Sequence, residues 1–333
     1  MNKPFMFTGM QPTGKITLGN YLGVLKPLLN DQDKYFSLIC IVDLHAYTSL
    51  PEKSNFKKQI KELSAFYLSI GFKSENAKFF IQSSVKQHLD LAWVMQCLTS
   101  MGELSRMTQY KEKTDKGYQG VGLFTYPTLM AADILLYNSD LVYVGQDQKQ
   151  HLELTRDLAN RFNNRYSETF TIPESVIQKV GFKIMSLQNP SKKMSKSDEN
   201  ESSSIYVTDS PAQIRKKIGS AVTDSIGIIN YDLENQPGIS NLLTILATLT
   251  NTTPESIVER YNEQKNKATY KQLKDEVAQA IIAELEPIQV RMQEMLENDT
   301  KREEILEDGA NFATSIAYKT MSKVYRKTGI GGK

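Results

Sequence analysis

The sequence predicts an α/β protein, a Rossmann-like doubly wound parallel sheet followed by a C-terminal all-helical domain. Three observations lead there. Short apolar runs alternate with amphipathic stretches through the first half of the chain, residues 35–43 (YFSLICIVD) form one unbroken apolar run, and strand signals stop after about Ser210. Strands alternating with helices favour a parallel sheet, and an unbroken apolar run suits a strand buried on both faces.

The elements follow in order. Residues 5–8 read as a strand ending in a turn at Gly9. Residues 18–29 carry Leu18, Leu22, Leu25 and Leu29 at helical spacing, with Thr17 as N-cap. After the strand at 35–43, residues 56–70 form an amphipathic helix with Ile60, Leu63, Tyr67 and Ile70 on one face. Residues 78–82 read as a strand and 89–99 as a helix. The helix at 126–137 opens with Pro127, a residue suited to a first helical turn. A strand at 141–144 and a helix at 149–162 complete the sheet half, with ligands expected at the carboxyl ends of the strands. Helices are then expected over 212–222, 239–249, 254–263, 268–296 and 303–326, with Pro287 dividing or bending the long one. Residues 198–204 (DENESSS) are polar and unperiodic, which marks them as a mobile connection.

A chain of 333 residues suggests two domains, and 40% hydrophobic with 23% charged residues reads as a globular protein. The formal net charge of +2 leaves any nucleic-acid partner to local basic patches. Cys40 and Cys97 both lie in apolar runs and read as buried, reduced thiols; with three histidines and no Cys-x-x-Cys, no structural zinc or iron–sulfur cluster is expected. No apolar run approaches membrane-spanning length and residues 1–15 lack a signal-peptide core, so a cytoplasmic location and no membrane partner are expected.

Four segments carry candidate chemistry. Gly9-Met10-Gln11-Pro12-Thr13-Gly14, followed by Thr17-Leu18-Gly19-Asn20, is a Gly-rich turn from a strand into a helix. Such a turn offers backbone N–H groups and a helix N-terminus to phosphate; a plain N-cap at Thr17 reads equally well from these residues alone. Lys193-Met194-Ser195-Lys196-Ser197 puts two ammonium groups on a polar loop, a pattern that a solvated loop also shows. Gly145-Gln146-Asp147-Gln148 follows the 141–144 strand, where a ribose or simply a turn can sit. Asp133 lies in an otherwise apolar helix; a buried carboxylate needs partners, and from the residues alone a structural pairing is the better reading.

The turn and the Lys193–Ser197 loop together resemble the class I aminoacyl-tRNA synthetases, and in detail the tryptophanyl-tRNA synthetases. The resemblance runs from Phe7 to Gly329 and includes Asp43-Leu44-His45-Ala46, Gly102-Glu103-Leu104, Ser220-Ala221-Val222-Thr223-Asp224-Ser225 and Pro237-Gly238-Ile239-Ser240-Asn241-Leu242. It implies activation of L-tryptophan with ATP, giving tryptophanyl-adenylate and pyrophosphate, then transfer to tRNA(Trp), with Mg2+ arriving on the ATP. ATP is then held by Gln11, Pro12, Thr13, Gly19, Asn20, Gly145, Gln146, Asp147, Ile184, Lys193, Met194, Ser195, Lys196 and Ser197. Catalysis falls to Thr17, Asn20, Lys113, Lys193 and Lys196. Tryptophan is held by Asp133, accepting the indole N–H, with Phe7, His45, Tyr126, Met130, Val144 and Gln148.

The chain departs from the family where Thr17-Leu18-Gly19-Asn20 stands for the usual His-Ile-Gly-His, which moves the electrostatic load onto lysines. Gln146 stands where an acid is usual, and Tyr143 where Pro is common. The resemblance further implies a homodimer, a Rossmann catalytic domain over 1–190, a mobile loop over 191–204 and an anticodon-binding helical domain over 205–300. It also implies a final helix, 303–328, packed back near the first domain. Residues 179–217 hold eight cations against four acids, and 309–333 hold five cations and no acid, zones suited to RNA and equally to helix termini. Competing readings are a tyrosyl-tRNA synthetase, a small-molecule adenylyltransferase and a non-catalytic paralogue.

Overall fold

The computed structural model describes residues 3–108, 110, 120–143, 148–176, 183–196, 198–263 and 269–332. Its sheet has five parallel strands, β1 (Phe5–Met10), β2 (Phe36–Ile41), β3 (Ala77–Ile81), β4 (Leu141–Tyr143) and β5 (Glu174–Val176), in the order β3-β2-β1-β4-β5. Strand order therefore reverses beside β1, the place where doubly wound sheets bind ligands at their carboxyl ends. Ser37 to Ile41 are all 0% exposed, as the unbroken apolar run requires of a strand covered on both faces. β5 was not among the expected strands: Glu174-Ser175-Val176 has no apolar run, and it is placed by its register with Leu141–Tyr143.

The chain forms two compact units, the first being Met1–Thr13, Asp31–Gln178 and Met295–Lys333, the second Gly14–Asn30 and Lys179–Glu294. The first unit carries the sheet with helices α3 (Asp43–Tyr47), α4 (Lys53–Ser69), α5 (Gln87–Leu98), α6 (Met101–Ser105), α7 (Val121–Leu135), α8 (Lys149–Tyr166) and α13 (Asp299–Thr328). The second carries α1 (Leu18–Asn20), a π-helical turn Tyr21–Leu25, α2 (Lys26–Asn30), α9 (Pro211–Gly219), α10 (Pro237–Thr250), α11 (Pro254–Asn262) and most of α12 (Tyr270–Glu297).

This division corrects the expected boundary at 190. Residues 14–30 leave the sheet unit because their apolar face, Leu18, Tyr21, Leu25 and Leu28, all 0% exposed, is buried with the helices. Backbone bonds tie the segment there, Leu18 N–H donating to the Ile205 carbonyl at 2.8 Å and Val207 N–H to that of Ile16 at 3.0 Å. The Tyr21 hydroxyl and the Lys26 ammonium, the latter at 2.6 Å, both reach Glu284. Burial also pushes the Tyr21 phenol far above its ordinary range, so it stays the donor.

Other expectations shift locally. α7 begins at Val121 behind Gly120, so Pro127 lies inside the helix and not in its first turn. It removes one N–H from a helix whose flanking residues Tyr126 and Thr128 are buried, and that burial holds the helix through the lost bond. α12 likewise runs through Pro287, its buried ladder Leu273, Val277, Ile281, Leu285, Ile288 and Met292 continuing on both sides. Within 198–204, Ser203 and Ser204 are buried: the Ser203 carbonyl accepts from Leu187 N–H at 2.9 Å and the Ser204 carbonyl from the Lys217 ammonium at 2.9 Å. The end of the segment expected to be mobile is thus pinned. Cys40 is buried, but Cys97 is exposed, because it follows Leu89 and Trp93 at four-residue spacing on the outward face of α5. α13 packs on β3, and at Gly309 a Cβ would stand 1.9 Å from the Phe79 carbonyl oxygen.

Candidate active site

In the second unit the two Gly- and Lys-bearing segments are brought into contact. Thr17 caps α1 with extended backbone, its hydroxyl oxygen accepting from Asn20 N–H at 3.2 Å, while the Asn20 amide oxygen accepts from Thr17 N–H at 3.2 Å and Thr17 O–H at 3.0 Å. Both side chains therefore serve as a capping box. The box uses the Asn20 amide oxygen, and the amide nitrogen, on a half-buried side chain, is the atom with the chemistry to donate to phosphate.

Gly19 lies directly against the lysine-bearing segment. A Cβ there would lie 3.4 Å from Met194 Cβ and 3.6 Å from Ile184 Cβ, both buried residues. Gly14, at φ +63°, stands against Lys196, whose Cβ and Cδ lie 3.5 and 3.7 Å from its ideal Cβ position. The lysine segment is a two-stranded strap: Met194 N–H donates to the Ile184 carbonyl at 3.0 Å and Ser186 N–H to that of Lys192 at 2.8 Å. The Ser195 carbonyl accepts from Ser204 Oγ at 3.1 Å. Lys193 is exposed, whereas Lys196 is half-buried, and burial lowers its ammonium to about 8. A desolvated ammonium gains most from an anionic partner.

In the first unit the functional side chains gather around Asp133, 1% exposed on α7. Gln82, just past the carboxyl end of β3, donates through Nε2 to both carboxylate oxygens at 2.8 and 2.9 Å. Its Oε1 accepts from Leu44 N–H at 3.1 Å, which settles the orientation of the amide. His88 Nδ1 lies 2.6 Å from one oxygen and His45 Nε2 2.8 Å from the other. His88 Nε2 lies 2.7 Å from the Tyr137 hydroxyl, so the ring is held at both nitrogens. Burial pushes the Asp133 carboxyl up, but the His88 and His45 rings outweigh it and hold it at about 2. Burial, Cys40 and Asp133 push the Tyr137 phenol up, so it stays protonated.

Four further residues expected in the pocket lie in this unit. Phe7, on β1, is 5% exposed and stacks on Tyr137 with ring centroids 5.8 Å apart. Tyr126 meets the His45 ring edge-on at 6.1 Å, and its hydroxyl lies 2.8 Å from His151 Nε2. Met130 is half-buried one turn before Asp133, and Gln148 half-buried at the start of α8. Gln11, Pro12 and Thr13 follow β1 in this unit, with Thr13 N–H closing a turn onto the Gln11 carbonyl at 2.9 Å. Lys113, Val144, Gly145, Gln146, Asp147 and Ser197 lie outside the described residues.

Gln82, His88 and Tyr137 were not among the sequence candidates. The signal was available, because the chain has only three histidines and Gln82 ends a buried strand, where ligands of parallel sheets collect.

Comparison with known proteins gives the family. Residues 1–286 match the family described as tRNA synthetases class I (W and Y). A tryptophan–tRNA ligase of Listeria monocytogenes serotype 4b (strain F2365) is 50% identical over 333 residues, covering 99% of each chain, and one of Bacillus subtilis (strain 168) gives the same values. Among solved structures, tryptophanyl-tRNA synthetase from Mycoplasma pneumoniae superposes with TM-score 0.88 at 34% identity over 99% of both chains. The Campylobacter jejuni enzyme complexed with ADP and tryptophan gives 0.82 at 34%, covering 98% of this chain and 100% of its own. A tyrosyl-tRNA synthetase from Aeropyrum pernix, at 20% identity and 0.67, shares the fold.

Proposed function

The chain belongs to the class I tRNA synthetases of the tryptophan and tyrosine kind, and we propose how its residues divide the work. It is an aminoacyl-tRNA ligase that uses ATP to activate L-tryptophan and joins it to tRNA(Trp). In the first step a tryptophan carboxylate oxygen attacks the α-phosphorus of ATP, the α–β phosphoanhydride bond breaks, and pyrophosphate leaves. Lys193 and Lys196 neutralise charge on that leaving group, and the Asn20 amide donates to phosphate oxygen from the start of α1. The single observation behind this assignment is the contact of the two segments within one unit, Gly14 against Lys196 and Gly19 against Met194. Thr17 then acts through Asn20, which it holds in the capping box.

Asp133 is assigned as acceptor of the indole N–H, within a wall of Phe7, Tyr126 and Met130. Its carboxylate is buried and ionised, so a phenylalanine ring, which offers no donor, gains nothing from it. Mg2+ enters as part of the ATP complex in this reading, since among the described residues no three acid, His or Cys side chains group as metal ligands. The exposed stripe Leu89, Trp93 and Cys97 on α5 is assigned to contact with a second copy, giving a homodimer. The working location is the cytoplasm, and among the described residues no helix is long and apolar enough to cross a membrane.

Pyrophosphate exchange measured with each of the twenty amino acids tests the assignment. Exchange driven by tryptophan alone is the expected result. Exchange driven by tyrosine, or by none of the twenty, overturns it.

A further inference from the structure

We propose that His88 and Gln82, backed by Tyr137, are positioning residues that keep Asp133 ionised and aimed as the acceptor for the substrate's ring N–H. The proposal rests on the assignment of Asp133 given above. Its ground is that the donors around the carboxylate are not equivalent. Gln82 and His88 are both 0% exposed and each is fixed at its far end, Gln82 by Leu44 N–H and His88 by the Tyr137 hydroxyl. The His88 ring cannot turn without giving up the Tyr137 hydroxyl, and the Gln82 amide is held at both ends, although Leu44 N–H has a second acceptor in Asp43 Oδ1 at 3.1 Å. His45 is the most open of the three donors, at 6% exposure, and meets Tyr126 only through a ring edge.

Burial alone drives a carboxyl toward its neutral form, which would present a donor hydroxyl where an acceptor is needed. The groups facing Asp133 decide the outcome: Cys40 from β2, His45 from α3, His88 from α5, Tyr137 just past α7, and Tyr126 beyond the His45 ring. Of these, Cys40 is a thiol kept protonated by burial and by Asp133 and Asp43, so it is neutral and adds no charge beside the carboxylate. The imidazoles and the Gln82 amide are what favour the ionised form. The carboxylate already makes four contacts, two with Gln82 Nε2 and one with each imidazole, so a substrate N–H takes the place of one of them, and His45, the most open donor, is the one placed to yield.

The test compares Asp133→Asn, His88→Leu, His88→Asn, Gln82→Leu and Tyr137→Phe in the full-length enzyme. The readouts are tryptophan KM and kcat in pyrophosphate exchange, and the preference for tryptophan over its ring-N-methyl analogue. His88→Leu and Gln82→Leu are expected to raise KM and lower the preference by about tenfold or more, with kcat changed much less. His88→Asn, which restores a donor near the Nδ1 position, recovers most of the preference. A direct readout is the Asp133 side-chain carboxyl 13C signal between about pH 4 and pH 8, where the wild-type group, held at about 2, stays ionised. In His88→Leu it titrates within that range. Tyr137→Phe keeps the ring and carries the same test if His88→Leu does not fold, with a preference loss of about threefold and a shift of the His88 15N signals.

If Asp133→Asn keeps the full preference, the assignment of Asp133 fails and this proposal goes with it. If Asp133→Asn abolishes the preference while His88→Leu, Gln82→Leu and Tyr137→Phe retain it and leave Asp133 ionised, the positioning role alone is overturned.

Discussion

Replacing Lys196 isolates what a half-buried ammonium does at the phosphate grip. Burial lowers it from 10.5 to about 8, so in the unliganded enzyme its proton is lost near the upper end of ordinary assay conditions. If its charge stabilises departing pyrophosphate, kcat/KM for ATP falls as pH rises through about 8, roughly tenfold per unit beyond it. Lys196→Arg, protonated to about pH 12 or higher, moves that limb out of range. Lys196→Ala at pH 7 is expected to lose about two to four orders of magnitude in activation rate, the scale of one transition-state donor, with a far smaller change in KM for ATP. The same burial has a consequence for stability. The unfolded chain binds this proton more tightly between about pH 8 and 10.5, so stability rises with pH across that window and the folded form carries the unfavourable charge below it. The cost is at most about 3 kcal/mol, less what partial exposure screens, and the rise in stability from about pH 8 to about 10.5 should be smaller in Lys196→Met than in wild type. Pyrophosphate exchange from about pH 6.5 to about 10 and urea unfolding at about pH 7 and about pH 10 measure the two effects. An alkaline limb unchanged in Lys196→Arg, or the same rise in Lys196→Met as in wild type, refutes the reasoning.

Three further outcomes are expected. Asp133→Asn removes a carboxyl held at about 2, against an ordinary 3.8, and should cost on the order of 2 kcal/mol in urea unfolding at pH 7. In the wild type that contribution is present above about pH 4 and lost as pH falls through about 2, so the variant's deficit should shrink in acid. Trp93→Glu, a charge on the exposed α5 stripe, should turn a dimer into a monomer in light scattering; a wild type already monomeric while fully active removes the dimer assignment. Gly309→Ala sets a methyl 1.9 Å from the Phe79 carbonyl oxygen, so α13 must lift off β3 and thermal unfolding should show a loss of about 2 kcal/mol or more. An unchanged melting temperature would mean that this contact is not maintained in solution.

The sheet was legible because its strands are apolar runs, which report burial directly, and the helices because their apolar spacing reports one buried face. β5 was not, since two exposed residues and a half-buried valine take strand geometry from a neighbour and not from their own composition. The same limit hid the unit to which residues 14–30 belong. Leu18, Leu22, Leu25 and Leu29 announce a buried face, but nothing in their spacing says whether a sheet or a helical layer covers it; Ile205, Val207 and Glu284, far along the chain, decide that. Pro127 was read as opening a helix, where proline fits the first turn, and Pro287 as dividing or bending one, whereas burial on both sides of each holds the helix through it.

The polar cluster was harder to read for a related reason. Asp133 was legible as a buried acid in need of partners, but its partners are 45, 51 and 88 residues away along the chain. Sequence alone therefore left its charge state open, and the charge state is what separates a structural carboxyl from an acceptor of substrate. The Asp133 cluster and the Lys196 segment, each in its own unit, show opposite electrostatics. Asp133 is surrounded by its counter-donors before any ligand arrives, which favours a fixed acceptor from which a ring without an N–H gains nothing. Lys196 is held with its charge disfavoured, so it has most to gain when anionic charge grows beside it. Selectivity is best served by a group that does not respond to the ligand, and transition-state stabilisation by one whose interaction strengthens during the reaction. The contrast between a carboxyl held down at about 2 and an ammonium held down at about 8 is thus the physical basis for assigning recognition to the first and catalysis to the second.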